Sequence, residues 1–254
     1  MSSTSEKGHS RNVAAFASLI EICSLYGASY QPEKAALQIA ALNDLLTKAN
    51  AAMAVVNDKR ADLARLVNQR QDLFKPLKPL VTRLVNALDA GDASAQTVKD
   101  ARSIATKIWG RRKSSDSKAA AAPPAAGTPG EGAPAAAAGK SISVSQQSYD
   151  NQIEFFGRLV GLLEREPAYQ PNAADLKVAA LKDLHARLIA ANNAIRGPQV
   201  AASQSVIDRN VILYAPNTGL VDVAIDVKKY VKSVFGATSA QYKQLTKLPI
   251  RLVI

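Results

Sequence analysis

Apolar residues recur at Ile153, Phe156, Val160 and Leu163, spacings of three and four that place them on one face of a helix, and the run stops at a loop bracketed by Pro167 and Pro171. A second run, carried by Leu176, Ala179 or Ala180, Asp183 or Leu184, and Leu188, follows a candidate N-cap pair, Asn172 with Asp175, and extends to Gly197-Pro198. A third helix is predicted over 200–214, ending at the turn signal "APNTG". The fourth carries Leu220, Val223, Val227, Val231 and Val234, and Gly236 supplies its stop. Its valines lower helix propensity by a few tenths of a kcal/mol each, which counts against a helix here. Four amphipathic helices joined by short loops pack most economically as an up-and-down four-helix bundle. The closing stretch "QYKQLTKLPIRLVI" ends in an apolar run broken by Pro249 and Arg251, which predicts an extended segment docked on its own bundle, on another bundle or on another chain.

The same pattern occurs earlier in the chain. At an offset of 139 residues, Tyr30, Gln31, Pro32, Ala35, Leu37, Ala40, Ala41, Leu42, Asp44 and Leu45 match Tyr169, Gln170, Pro171, Ala174, Leu176, Ala179, Ala180, Leu181, Asp183 and Leu184. The offset also pairs Phe16 with Phe155, Cys23 with Leu162 and Arg70 with Arg209, and one step more pairs Leu80-Val81 with Leu220-Val221. A unit of roughly 90 residues is therefore written twice. The helices of the first copy are expected over 12–26, 32–56, 59–75 and 79–109, the last with a break near Gly91. The fold class predicted is all-α, a tandem duplication of a four-helix-bundle-like unit. Its parts are a disordered tail over 1–11, a first unit over 12–111, a flexible linker over 112–141 and a second unit over 142–254. The linker is rich in alanine, proline and glycine and offers nothing to bury; as a coil of that length it would average roughly 30 Å end to end.

Composition agrees with helix: alanine and leucine abound, and aromatic residues make up 5% of the 254 residues. One cysteine, Cys23, precludes an internal disulfide, and with two histidines, His9 and His185, there are too few soft ligands for a zinc cluster. No export signal and no run of about 18 uncharged apolar residues is apparent, so a soluble cytoplasmic protein with no membrane span is expected. The formal net charge of +11 favours acidic partners without choosing among them.

Motifs that carry chemistry are scarce. Phosphate loops, dinucleotide fingerprints, nucleophile elbows and metal-binding His-Glu helices are missing, so neither a cofactor nor a small-molecule ligand is expected. His9 falls in the expected tail, His185 reads as a partly packed helix residue, and Cys23 reads as a small core residue. Two copies of an acid and an arginine suggest interhelical pairs, Asp44 with Arg70 and Asp183 with Arg209, fixing register; the alternative is four solvated flank residues. Tyr30 and Tyr169 either form a paired recognition surface or pack over their own loops with the hydroxyl on backbone. Basic residues cluster at the ends of both units: Arg111, Arg112 and Lys113 in the first, and Lys228, Lys229, Lys232, Lys243, Lys247 and Arg251 in the second. These are candidates for phosphate contact, or ordinary basic helix C-termini.

The strings "RNVILY", "TGLVDVAIDVKKYVKSVFG" and "QYKQL" resemble those of an uncharacterised bacterial family of helical units, sometimes duplicated, with no assigned activity. The resemblance covers most of residues 141–250 and implies a bacterial, intracellular source. In the first copy "RQDLFKPLKPLVTRLV" stands at the corresponding place, so the copies have diverged. The function expected is a non-enzymatic scaffold that presents two related bundles to a protein partner or to itself, with sequence-independent nucleic-acid binding as the alternative.

Overall fold

A computed structural model describes residues 4–110 and 148–253. The expectations for 112–141, and for Arg111, Arg112 and Lys113, lie outside the described residues. Among those described the protein is all-helical: α1 (Thr4–Leu25), α2 (Ile39–Phe74), α3 (Leu77–Asp89), α4 (Ala95–Trp109), α5 (Tyr149–Arg165), α6 (Val178–Asn193), α7 (Arg196–Tyr214), α8 (Leu220–Phe235) and α9 (Ala240–Thr246). Short 3-10 turns occur at Gly27–Ser29, Ala35–Leu37 and Ala174–Leu176.

Several helix ends follow from local chemistry. Ser94, Ser148 and Ser239 each accept a hydrogen bond from the backbone N–H three residues on, satisfying a donor that the first turn leaves free. Gly110 (φ 76°) and Gly236 (φ 89°) close α4 and α8 in conformations that a Cβ would oppose. The fourth helix predicted for the second unit is α8, whose buried face is Leu220, Val223, Ala224, Val227 and Val231. The predicted break near Gly91 separates α3 from α4.

Other boundaries differ from expectation. The predicted helices over 32–56 and 59–75 are one helix, α2, because Asn57-Asp58 lacks both the glycine and the proline needed to interrupt an alanine-rich run. It ends at Phe74, where Lys75 precedes Pro76. In the second copy the break falls at Ala194-Ile195, and Gly197-Pro198 sits in the first turn of α7, where proline's missing N–H costs nothing. Asn172 and Asp175 do not cap α6: Asp175 lies in the 3-10 turn, and the helix starts at Val178. Residues 4–11 are not a free tail but the start of α1, in which His9 and Asn12 are buried.

The largest departure concerns the domains. The described chain forms two compact units that do not coincide with the sequence copies over 12–111 and 142–254. One unit comprises Met1–Asn68 together with Ala194–Ile254, and the other comprises Gln69–Asn193. In the first, Phe16, Leu19, Ile20 and Cys23 of α1 join Leu42 and Ala49 of α2 and the buried face of α8, with Leu213 and Leu245 completing the core. In the second, Val81, Leu84 and Leu88 of α3 and Ala101, Ala105 and Ile108 of α4 enclose Phe156, Leu159 and Leu163 of α5 and Leu181 and Leu188 of α6. Each core thus draws on both halves of the chain. The sequence pattern says which face a helix buries; it does not say against which helix.

The tail is extended but is not a strand. It packs in the first unit, where the Asn12 side chain donates to the Arg251 carbonyl (2.6 Å) and accepts from the Arg251 N–H (3.1 Å), and Val253 lies against Gly8. An 18-residue window within Ile39–Asp89 reaches a mean hydropathy of 1.2, which meets the length and composition of a membrane span. Asn43, Asp44, Lys48 and Asn50 fall in this part of α2, and only 17% of the window is buried, at Leu42, Ala49 and Val56, so the stretch passes by length and composition alone.

A pair of substitutions tests the packing at two glycines. A Cβ on Gly219 would lie 2.6 Å from the Ala215 nitrogen, whereas one on Gly161 in α5 meets open space. Gly219→Ala is expected to destabilise the protein by about 1–3 kcal/mol and Gly161→Ala to stabilise it by roughly 0.5–1 kcal/mol, as read by urea unfolding.

Candidate functional site

Of the two readings for the tyrosines, the structure shows the second. Tyr30 is 6% and Tyr169 5% exposed, so neither presents a recognition surface. The Tyr30 hydroxyl donates to the Leu37 carbonyl (2.7 Å) and the Tyr169 hydroxyl to the Leu176 carbonyl (2.8 Å). The repeated Tyr-Gln-Pro stretch is thus a loop clasp built alike in both places, with the accepting leucine at the end of a 3-10 turn. Tyr30 also meets the edge of Tyr230 at 5.3 Å, and the Tyr230 hydroxyl accepts from the Gln31 N–H.

The expected acid–arginine pairs do not form. Asp44 is exposed, and Arg70 belongs to the other compact unit. Arg70 instead lies over the Tyr149 ring (3.9 Å to the centroid) and donates to the Asn192 side chain (3.0 Å), which donates in turn to Asp150 (2.8 Å). Its Nε is buried without a hydrogen-bond partner among the described residues. Asp183 is exposed, 4.0 Å from Arg187 one helical turn away. Arg209 is 2% exposed, and its guanidinium donates to Asn210 through Nε and Nη2. Other ion pairs do form, Arg83 with Asp175 and Lys34 with Asp226, with side chains largely open to solvent. Arg83 holds the Asp175 carboxyl below the usual carboxylate range, and Lys34, aided by Lys229, does the same for Asp226.

The basic candidates separate into two sets. Lys228 is a structural residue: its ammonium donates to the Leu248 carbonyl (3.1 Å), and burial lowers its pKa. Lys229 pairs with Asp226, and Lys232 lies 5.8 Å from the Tyr242 ring centre. Lys229, Lys232, Lys243, Lys247 and Arg251 expose their side chains along the end of α8, α9 and the tail. These remain the available phosphate-contacting candidates.

His185 is packed as expected, with Nε2 3.1 Å from the Ile153 carbonyl and its ring near Phe156. Cys23 is fully buried, and desolvation pushes its thiol up to about 12, which removes it as a nucleophile. Among the described residues no group of three or more His, Cys, Asp or Glu side chains could hold a metal.

Sequence reasoning missed two features. His9 shares a 2.5 Å hydrogen bond with the Tyr214 hydroxyl, to which Asn12 also donates, forming a polar cluster where the chain ends pack. The signal was present: His9, Asn12, Phe16, Leu19 and Cys23 keep helical spacing, so the face of α1 extends back into the expected tail. The second feature is an apolar row on α7, with Val200, Ile207 and Val211 at 69%, 55% and 58% exposed. Their spacings of seven and four place them on one face, beside Gln199, Ser203 and Gln204.

No protein-family model, curated protein or solved structure matches this chain.

Two outcomes follow from the clasps and Cys23. Tyr30→Phe and Tyr169→Phe should each cost about 1–2 kcal/mol, because each bares a buried carbonyl, and no loss from either in urea unfolding would contradict the clasp. Burial raises Tyr30 above its ordinary value, raises Tyr169 to about 12 and raises Cys23 to about 12, against 10.0 for tyrosine and 9.0 for the thiol. The folded state therefore holds more protons than the unfolded state above about pH 9. These groups contribute fully below that pH, and the contribution is lost as pH rises toward 12. Lys228 acts in the opposite sense near pH 10, since its amine is the group with the depressed value. The double tyrosine variant should lose less stability than the parent between pH 9 and pH 11, measured by urea midpoints.

Proposed function

We propose that the protein is a non-enzymatic scaffold, a duplicated helical unit that presents bundle surfaces to protein partners or to copies of itself. The observation that carries this reading is the exposed row Val200, Ile207 and Val211 on α7. A helix face with three large aliphatic side chains open to water is a candidate contact surface, because burying each would release about 1 kcal/mol or more. Four described side chains considered for chemistry are engaged: Tyr30 and Tyr169 clasp loops, Cys23 is buried, and His185 is packed. The triple variant Val200→Ser, Ile207→Ser, Val211→Ser should keep its helicity and self-associate at least tenfold more weakly in sedimentation equilibrium. Indistinguishable association of parent and variant contradicts a role for this face in self-contact.

A second reading rests on a different surface. Lys229, Lys232, Lys243, Lys247 and Arg251 line the end of one unit on a chain of net charge +11, an arrangement suited to a polyanion without sequence preference. Binding to a random DNA duplex or to RNA should then fall steeply with salt. Lys243→Gln, Lys247→Gln and Arg251→Gln together should flatten the log–log salt slope by about 2–3, close to one for each phosphate that a replaced side chain had neutralised. Absence of binding at low salt contradicts this reading.

A further inference from the structure

We propose that the two halves of this chain, residues up to 110 and residues from 148 onward, are obligate partners that exchange their helices, so that a single chain is built as a covalently joined swapped dimer. The interaction surface is the apolar face of each half, and the partner it fits is the other half. This goes beyond the scaffold reading, which requires only that bundle surfaces be exposed.

Four sets of contacts carry the inference, and all join one half to the other within a compact unit. The first is apolar. Phe16, Leu19, Ile20 and Cys23 of α1 share a core with Leu220, Val223, Ala224 and Val227 of α8, and α5 packs on α4. The second is the polar chain at Arg70, which passes from the carboxyl end of α2 to Asn192 in α6 and Asp150 in α5, with Tyr149 stacked on the guanidinium. Taking away the second half would leave Arg70 without its amide acceptor and its aromatic cover.

The third set is the two-way bond between Asn12 and the backbone of Arg251, which ties the tail of the second half to α1 of the first. The fourth consists of ion pairs that join a loop of one half to a helix of the other: Lys34 with Asp226 on α8 (2.8 Å), and Arg83 on α3 with Asp175 (2.5 Å). Each repeated Tyr-Gln-Pro loop is likewise docked on the opposite half. Gln31 donates to Tyr230 of α8, and the Ala168 carbonyl lies against Gly91 in the break between α3 and α4. Had each half closed on itself, these loops would face helices of their own half.

The repeat explains why the exchange is sterically available. Matched positions such as Phe16 and Phe155, or Leu80-Val81 and Leu220-Val221, give both halves faces of similar shape, so a closing helix from either half can complete the other's opening helices. Continuous helix through Asn57-Asp58, where a hairpin was expected, carries α2 from one compact unit to the other instead of turning it back.

The test uses the full chain with a specific protease site placed in the Ala/Pro/Gly stretch between the halves. After cleavage under native conditions the two fragments should co-elute on size exclusion at the position of the uncut 26.9 kDa protein and keep its helical circular dichroism. Their thermal midpoint should fall when the cut protein is diluted tenfold, because folding has become bimolecular. Two separate folded species of about half the mass, or a midpoint that ignores dilution, would overturn the proposal.

Discussion

The constraint on which the rest of the structure depends is that each amphipathic helix must cover its apolar face, and in this protein each core completes that cover with helices from both halves of the chain. Phe16 and Leu19 on α1 have no solvent exposure, and neither have Leu220 and Val227 on α8. Burying side chains of this size contributes about 1.5–3 kcal/mol each, while a whole domain is stable by only about 5–15 kcal/mol. Leaving either face open would therefore consume a large part of the stability of a unit. The polar contacts follow the same division. The Arg70–Asn192–Asp150 chain and the Asn12–Arg251 bonds join elements that the apolar faces have already brought together.

Much of the local structure was legible in the sequence. The valine spacing of α8 and the stop at Gly236 are readable because a helix buries every third or fourth residue and a left-handed terminus favours glycine. The tyrosine clasps were among the alternatives that the residue types suggested. What could not be read was pairing. An apolar stripe records that a face is buried but not which helix covers it, so sequence alone does not choose between a core closed within one half and one drawn from both. The continuity of α2 was hidden for a related reason: Asn57-Asp58 looks like a turn beside its counterpart near Gly197-Pro198, but neither residue forbids a helix.

The candidate site was less legible than the fold. Lys228 sits at the edge of the buried stripe of α8, where a charge pattern cannot distinguish a surface lysine from one turned onto a backbone carbonyl. Arg70 and Arg209 matched in sequence but occupy different environments, one stacked on Tyr149 and the other beside Asn210. Repetition of a residue is thus weaker evidence of a shared role than repetition of a geometry, which the Tyr30 and Tyr169 loops provide. Among the described residues, the aliphatic row of α7 and the side chains of Lys243, Lys247 and Arg251 at α9 and the tail stay exposed.

The exchanged core makes a direct claim about which helices open together. Native-state hydrogen exchange of the intact chain in increasing denaturant reads this without altering any residue. Amides of α1 should lose protection in step with those of α8, and amides of α5 in step with those of α4. Loss of α1 protection in step with α3 and α4, independently of α8, would show that each half holds its own core and would contradict the account.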